Sequence, residues 1–391
     1  MLFLSLGSNY TGSQAFRHLF TIGRKSDAEK LQKLLVDRYQ GKKALLYSKG
    51  RGALAAAVRL ATGGSGKVAV TSLTCYSVID AVEQAGSQVV YVEISPKTLQ
   101  FDSHTLADTL KKQKVKAIIV QNTVGIPLDI DAVMTLAKQA GASVIEDLAH
   151  SAGAKYADGR EVGTIADYTM LSFGRDKLLD TINGGALVIR TDSVPVTLQP
   201  PVHSPGFVQQ LRDRIYPPIG WLARTLFPVG LGKYVLAIAY KLKLAVRSAD
   251  GAADSSVRLP YWQAHLALVQ MQKLDETVAS RLAKQQKYLD KLSHLSMERS
   301  ANGARLPLLV ENRDEVVAKL KQAGFYTEDI WYDVPVSPER LYHLVDFPEK
   351  DFPVVSSLTK HVLNLPTHQL VTDEDIDKIS QIVSKEARSW S

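Results

Sequence analysis

Three groups in this sequence combine into one kind of chemistry. Lys177 follows an apolar run, 168–174, that reads as a strand. Asp147 lies at the end of another such run, 142–148. Gly50 and Gly52 punctuate the turn between a short apolar stretch, 44–47, and a helix-favouring run from Ala53. A lysine amine can hold an aldehyde as an imine, and a carboxylate can keep a pyridine nitrogen protonated so that the ring absorbs carbanion charge. Backbone N–H groups at a helix N-terminus bind phosphate. Singly, each has a plainer reading, because an acid at a strand end often caps a helix and a loop lysine is usually solvated. Their combination and order along the chain point to pyridoxal phosphate.

The surrounding elements must bring these groups together. Helical spacing over 26–40 puts Leu31, Leu34, Leu35 and Tyr39 on one side. Strands are expected at 44–47, 67–72, 88–94, 116–122, 142–148, 168–174 and 185–190, with helices at 77–86, 103–113 and 130–141. Short β-branched runs alternating with helices imply a mainly parallel seven-stranded sheet covered on both faces. Ligands in such sheets sit beyond the carboxyl ends of the strands. Polar residues crowd those ends: 48–52, 71–76, Asn122, 146–150 and 172–177. A long helical stretch from Leu259, a strand at 305–310, a helix at 313–324 and a final helix from Asp373 predict a smaller C-terminal α/β domain. The expected organisation is an N-terminal segment (1–40), a large cofactor-binding domain (41–200), an apolar, basic insertion (201–255) and a C-terminal domain with its linking helix (256–391).

The stretch VIEDLAHSAGAKYADGREVGTIADYTMLSFGRDKLLDTINGGALVIR resembles the DegT/DnrJ/StrS family of sugar aminotransferases. The resemblance rests on Glu146, Asp147, Ala149 and His150 in sequence, Gly163 four before Asp167, Ser172 with Phe173, Lys177, and the paired Gly184 and Gly185. It implies fold type I of the pyridoxal-phosphate enzymes, like aspartate aminotransferase, and a homodimer with sites at the subunit interface. By resemblance, Lys177 holds the cofactor and then carries the proton between Cα and C4′. Asp147 pairs with the ring nitrogen and His150 lies against the ring. Ser172 and the backbone of Gly50 and Arg51 take the phosphate, and Asn122 sits near the ring edge. The family usually has S-G-T at the phosphate turn; here the residues are Lys49, Gly50 and Arg51, and an arginine can pair bidentately with phosphate. Where the family stacks an aromatic residue on the ring, Cys75 fits by register and Tyr76 by chemistry. The family's partner-chain asparagine corresponds to Ser256, ahead of Arg258.

Composition bounds the alternatives. The chain has 391 residues, 45% hydrophobic and 22% charged, as expected of a globular protein. The single cysteine allows no intrachain disulfide, and no metal site is expected. No signal peptide or spanning segment is read, so the expected location is cytoplasmic. The net charge is +7, yet no nucleic-acid module is visible. Part of that charge lies between Arg214 and Ala249, where six basic residues (Arg214, Arg224, Lys233, Lys241, Lys243 and Arg247) occur with no acid among apolar runs. Such a segment either packs on the second subunit or lies at a membrane interface, with Trp221 near the polar boundary. Tyr332 is a candidate for the substrate side, and His361 and His368 read as solvated or capping residues. The expected reaction moves an amino group from glutamate or glutamine to a keto-sugar nucleotide or lipid-linked keto-sugar, in surface polysaccharide or glycoconjugate synthesis. The alternatives are a lyase on the same cofactor, or a non-catalytic regulatory or scaffold member of the fold.

Overall fold

The computed structural model describes residues 1–4, 7–191, 200–246, 253–295, 298–328 and 331–390. Its centre is a seven-stranded sheet. The strands are β1 (Lys43–Tyr47), β2 (Gly66–Thr71), β3 (Ser87–Val92), β4 (Val115–Val120), β5 (Ser143–Asp147), β6 (Tyr168–Ser172) and β7 (Gly185–Ile189). Their spatial order is β1-β7-β6-β5-β4-β2-β3. The strands run parallel except β7, which is antiparallel to both β1 and β6. All seven strands read from the sequence are present, and their ends differ by a residue or two.

Alternation along the strands sorts side chains into two cores. Ala44, Leu46, Ala69, Ile118 and Val144 face one core, with α2 (Lys25–Arg38), α5 (Ser103–Lys112), α6 (Ile130–Ala140) and α9 (Tyr261–Gln272). Leu45, Tyr47, Val70, Ile119 and Ile145 face the other, against α3 (Gly50–Thr62) and α4 (Tyr76–Gln84). Burial on both faces explains why the inner strands read as continuous apolar runs. Asp129 caps α6 by accepting the Ala132 amide, and Gly141, at φ 65°, ends it.

The C-terminal part has its own core. There β8 (Leu306–Leu309) pairs antiparallel with β9 (Val362–Leu365), covered by α10 (Leu274–Leu292), α11 (Arg313–Gln322) and α12 (Asp373–Glu386). The stretch from Leu259 is two helices rather than one, because Lys273 (φ −108°, ψ 10°) leaves helical geometry between α9 and α10. Leu2–Phe3 pairs with Phe325–Tyr326 of the C-terminal part, whereas α2 packs on α9. His368 is not solvated: it is buried, with Nε2 2.8 Å from the Phe3 carbonyl oxygen, and burial pushes it down to about 3.

The insertion forms two helices, α7 (Phe207–Leu226) and α8 (Gly232–Lys241), which pack together, with α7 also against α1 (Gly12–Phe20). Arg214 donates to the carbonyls of His18, Leu19 and Thr21 and stacks over Trp262, while Arg224 donates to the Tyr10 carbonyl. These two arginines therefore hold the insertion on the body. Trp221 likewise turns inward, edge-on to Phe16 at 5.4 Å. Arg247 and the remaining end of the segment lie outside the described residues. Among the described residues, no helix is long and apolar enough to cross a membrane.

Candidate active site

The carboxyl ends of the parallel strands open into a cavity of about 440 Å³. Two β5 neighbours show how the pleat divides labour. Glu146 is fully buried and accepts bonds from the Tyr156 hydroxyl (2.6 Å) and the amides of Gly163 (2.6 Å) and Ala166 (2.9 Å). It fixes the loop leading to β6. Asp147 reaches the cavity instead. It accepts the Ala149 amide at 2.9 Å, and burial raises its carboxyl to about 6, against the lowering effects of that bond and of Lys177.

Lys177 projects from the loop after β6. Asp180 shapes that loop by accepting the amides of Asp176 (2.9 Å) and Ile182 (2.8 Å). Asp176 lies in the left-handed region at φ 64°. Burial lowers the Lys177 amine below its ordinary value, and nearby Arg305 lowers it further. A buried amine with a depressed pKa is the state a nucleophilic lysine needs.

His150 is buried and its Nδ1 accepts the Val124 amide at 3.3 Å, which leaves the ring proton on Nε2. Burial and the cations Lys177 and Arg305 hold it well below the usual imidazole range, so it is neutral. Trp331 stacks on it, with centroids 4.2 Å apart and planes within 2°, and lies 4.5 Å from Lys177 Nζ. The Tyr332 hydroxyl is 3.2 Å from His150 Nδ1. Parallel pairing of Thr74–Cys75 with Val336–Ser337 draws this C-terminal loop over the cavity, along with Arg340.

The glycine turn is built for close approach. A Cβ on Gly50 would lie 2.9 Å from Ser172 Oγ, and one on Gly185 would lie 2.5 Å from Gly50 Cα. Small residues on both sides let the start of α3 reach Ser172 and the cavity. The N-cap Lys49 supplies no side-chain cap to this helix end. The Arg51 side chain instead donates to Asp80 (3.1 Å) and Ser77 (3.0 Å) on α4.

The cavity wall thus unites Gly50, Arg51, Cys75, Asp147, His150, Ser172 and Lys177. Tyr76 is not among the lining residues, so Cys75 is the one of that pair presented to the site. Asn122 is fully buried behind the wall, with its carbonyl accepting the Leu128 amide, and Gln121 lines the cavity in its place. Ser256 is exposed, bonded to Asp254, and outside this cavity. The sequence did not disclose Arg175, Asn183, Tyr216, Tyr240, Trp331 or Arg340 as wall residues. They come from loops and the insertion, where no periodicity marks an inward side chain.

The residues fit pyridoxal phosphate. A buried acid, a desolvated amine, a neutral imidazole and a glycine cradle at a helix start surround a cavity of suitable size. With this sheet order, they define a pyridoxal-phosphate site of fold type I. A family model for the DegT/DnrJ/EryC1/StrS aminotransferase family matches residues 18–384. The GDP-perosamine synthase of Caulobacter vibrioides is 24% identical over 363 residues, spanning 89% of this chain and 86% of that protein. The pleiotropic regulatory protein of Geobacillus stearothermophilus is 25% identical, over 85% of this chain and 83% of that one. The crystal structure of S. venezuelae DesV in complex with a ketimine intermediate shares the fold at TM-score 0.72 and 22% identity, covering 97% of this chain and 95% of that chain. The chain belongs to the DegT/DnrJ/EryC1/StrS aminotransferase family.

Proposed function

We propose that the enzyme transfers an amino group from glutamate or glutamine to a keto-sugar carried on a nucleotide, in the cytoplasm, for surface polysaccharide or glycoconjugate synthesis. The observation that carries this reading is Asp147 and Lys177 on one cavity wall, with Lys49, Arg175 and Arg340 also lining the cavity. The first two suit the cofactor, and the basic residues suit a diphosphate-bearing acceptor. The relative named GDP-perosamine synthase supports a sugar-nucleotide acceptor.

Pyridoxal phosphate, when bound, supplies an aldehyde for the amine and a ring that absorbs carbanion charge. The protein's part in the proposal is positioning and proton handling. Asp147 holds a proton at the ring nitrogen. Lys177 would hold the cofactor through its amine and would move a proton at the donor's Cα. Ser172 and the backbone of Gly50 and Arg51 bind the phosphate, and His150 and Cys75 confine the ring. One site serving donor and acceptor in turn gives ping-pong kinetics.

A homodimer is part of the proposal. Ser256, exposed and outside this chain's own cavity, then serves the second subunit. Light scattering tests the assembly. Incubation with pyridoxal phosphate, glutamate or glutamine, and a panel of keto-sugar nucleotides tests the reaction by mass spectrometry. An aminated sugar is expected. A cofactor-loaded protein that aminates none of the panel and forms no 2-oxo acid from either donor refutes the reading and favours a regulatory role like that named for the Geobacillus relative.

A further inference from the structure

The insertion carries a feature that transamination does not use. Along α8 and its flanks, Leu231, Tyr234, Ile238 and Leu242 recur at intervals of three, four and four, and each is more than half exposed. That spacing makes one helical stripe, and it points away from the protein. An adjoining side of α8 is the packed one. Ala239 is buried, and a Cβ on Gly232 would lie 2.2 Å from the Ala223 carbonyl oxygen. On α7, Phe207, Leu211 and Leu222 are exposed as well. Exposed apolar side chains grouped in this way mark an interaction surface.

Charge identifies the partner. With Arg214 and Arg224 turned to the body, the exposed cations on α8 and the turn after it are Lys233, Lys241 and Lys243. The sequence from Arg214 to Ala249 holds no acid. A contact between two copies of this insertion would set lysine against lysine without a carboxylate to pair them. An anionic lipid surface offers both an acyl layer for the stripe and negative charge for the lysines. Neither helix is both long and apolar enough to cross a bilayer, so they lie on it.

We propose that the outer face of α7 and α8 docks the enzyme on an anionic membrane surface. The same helices contribute Tyr216 and Tyr240 to the cavity wall, so docking brings the site to the membrane plane. The proposal is independent of which acceptor is aminated.

The test is flotation of the full-length, cofactor-loaded enzyme with vesicles of phosphatidylcholine containing phosphatidylglycerol, and with phosphatidylcholine alone. The protein should float with the first and not the second. Each lysine near an anionic surface favours binding by about five-fold, so Lys233→Gln/Lys241→Gln/Lys243→Gln should lower partitioning on the order of 100-fold. Ile238→Glu/Leu242→Glu should abolish flotation, and both variants alter exposed residues that do not line the cavity. Retained cofactor absorbance shows that the variants are folded. Absence of flotation on anionic vesicles, or flotation that both variants leave intact, overturns the proposal. So does an Ile238→Glu/Leu242→Glu enzyme that falls from dimer to monomer while the wild type ignores vesicles, which would make this face a subunit contact. Amination is not the readout, so failure here leaves the proposed reaction standing, and the reverse holds too.

Discussion

Asp147→Asn should make the cofactor-free protein more stable. Burial raises this carboxyl from an ordinary 3.8 to about 6. In the unfolded chain it therefore ionises first, and between those pH values the native state binds more protons than the unfolded one. Stability falls as pH rises through that window. At about 1.4 kcal/mol per pH unit, the cost above pH 6 amounts to about 3 kcal/mol, and about half of that near pH 5. Asparagine is never charged and still accepts the Ala149 amide through its carbonyl, so it escapes the cost. Urea unfolding of cofactor-free wild type and variant, at about pH 8 and about pH 5, should show a gain that shrinks by about half at the lower pH. With pyridoxal phosphate added the order should reverse, because the wild-type carboxylate then faces a protonated ring nitrogen. A variant that is less stable than wild type, or one whose gain does not change with pH, refutes the reasoning.

Glu146→Gln should destabilise the protein by about 3 kcal/mol, because a buried acceptor of several short bonds is replaced by a group that must also place a donor; urea unfolding measures it. Gly50→Ala pushes a Cβ to 2.9 Å from Ser172 Oγ and should cost about 1–3 kcal/mol, read as weaker cofactor binding in a fluorescence titration. Arg51→Gln leaves Asp80 without its ion-pair partner and should cost about 3 kcal/mol, whereas Arg51→Met with Asp80→Leu should recover most of that loss in the same assay.

The sheet was legible because its inner strands are buried on both faces, and a run such as 116–122 has no competing reading once helices flank it. Asp147, Ser172 and Lys177 were singled out by their order along the chain and by the family resemblance, and all three line the cavity because strand ends fix where neighbouring residues emerge. Glu146 and Asp147 are adjacent, yet alternation sends one to the loop and the other to the cavity. Less visible was anything set by contacts distant in sequence. Trp331 and Arg340 reach the site only because Val336–Ser337 pairs with Thr74–Cys75 across the fold. Arg51 reads as a phosphate ligand from position alone, but its guanidinium bonds to Asp80 and Ser77, a choice set by α4 packing. In the insertion, sequence showed apolar and basic residues together, but only packing separated the inward Arg214, Arg224 and Trp221 from the outward Ile238 and Leu242.

Lys177 is proposed as the residue that carries the cofactor. Borohydride reduction of the loaded enzyme, followed by peptide mass spectrometry, tests it most directly. A pyridoxyl-phosphate adduct on Lys177 is expected, with none formed in Lys177→Ala even though that variant stays folded. An adduct on another lysine, or undiminished labelling of Lys177→Ala, would contradict it.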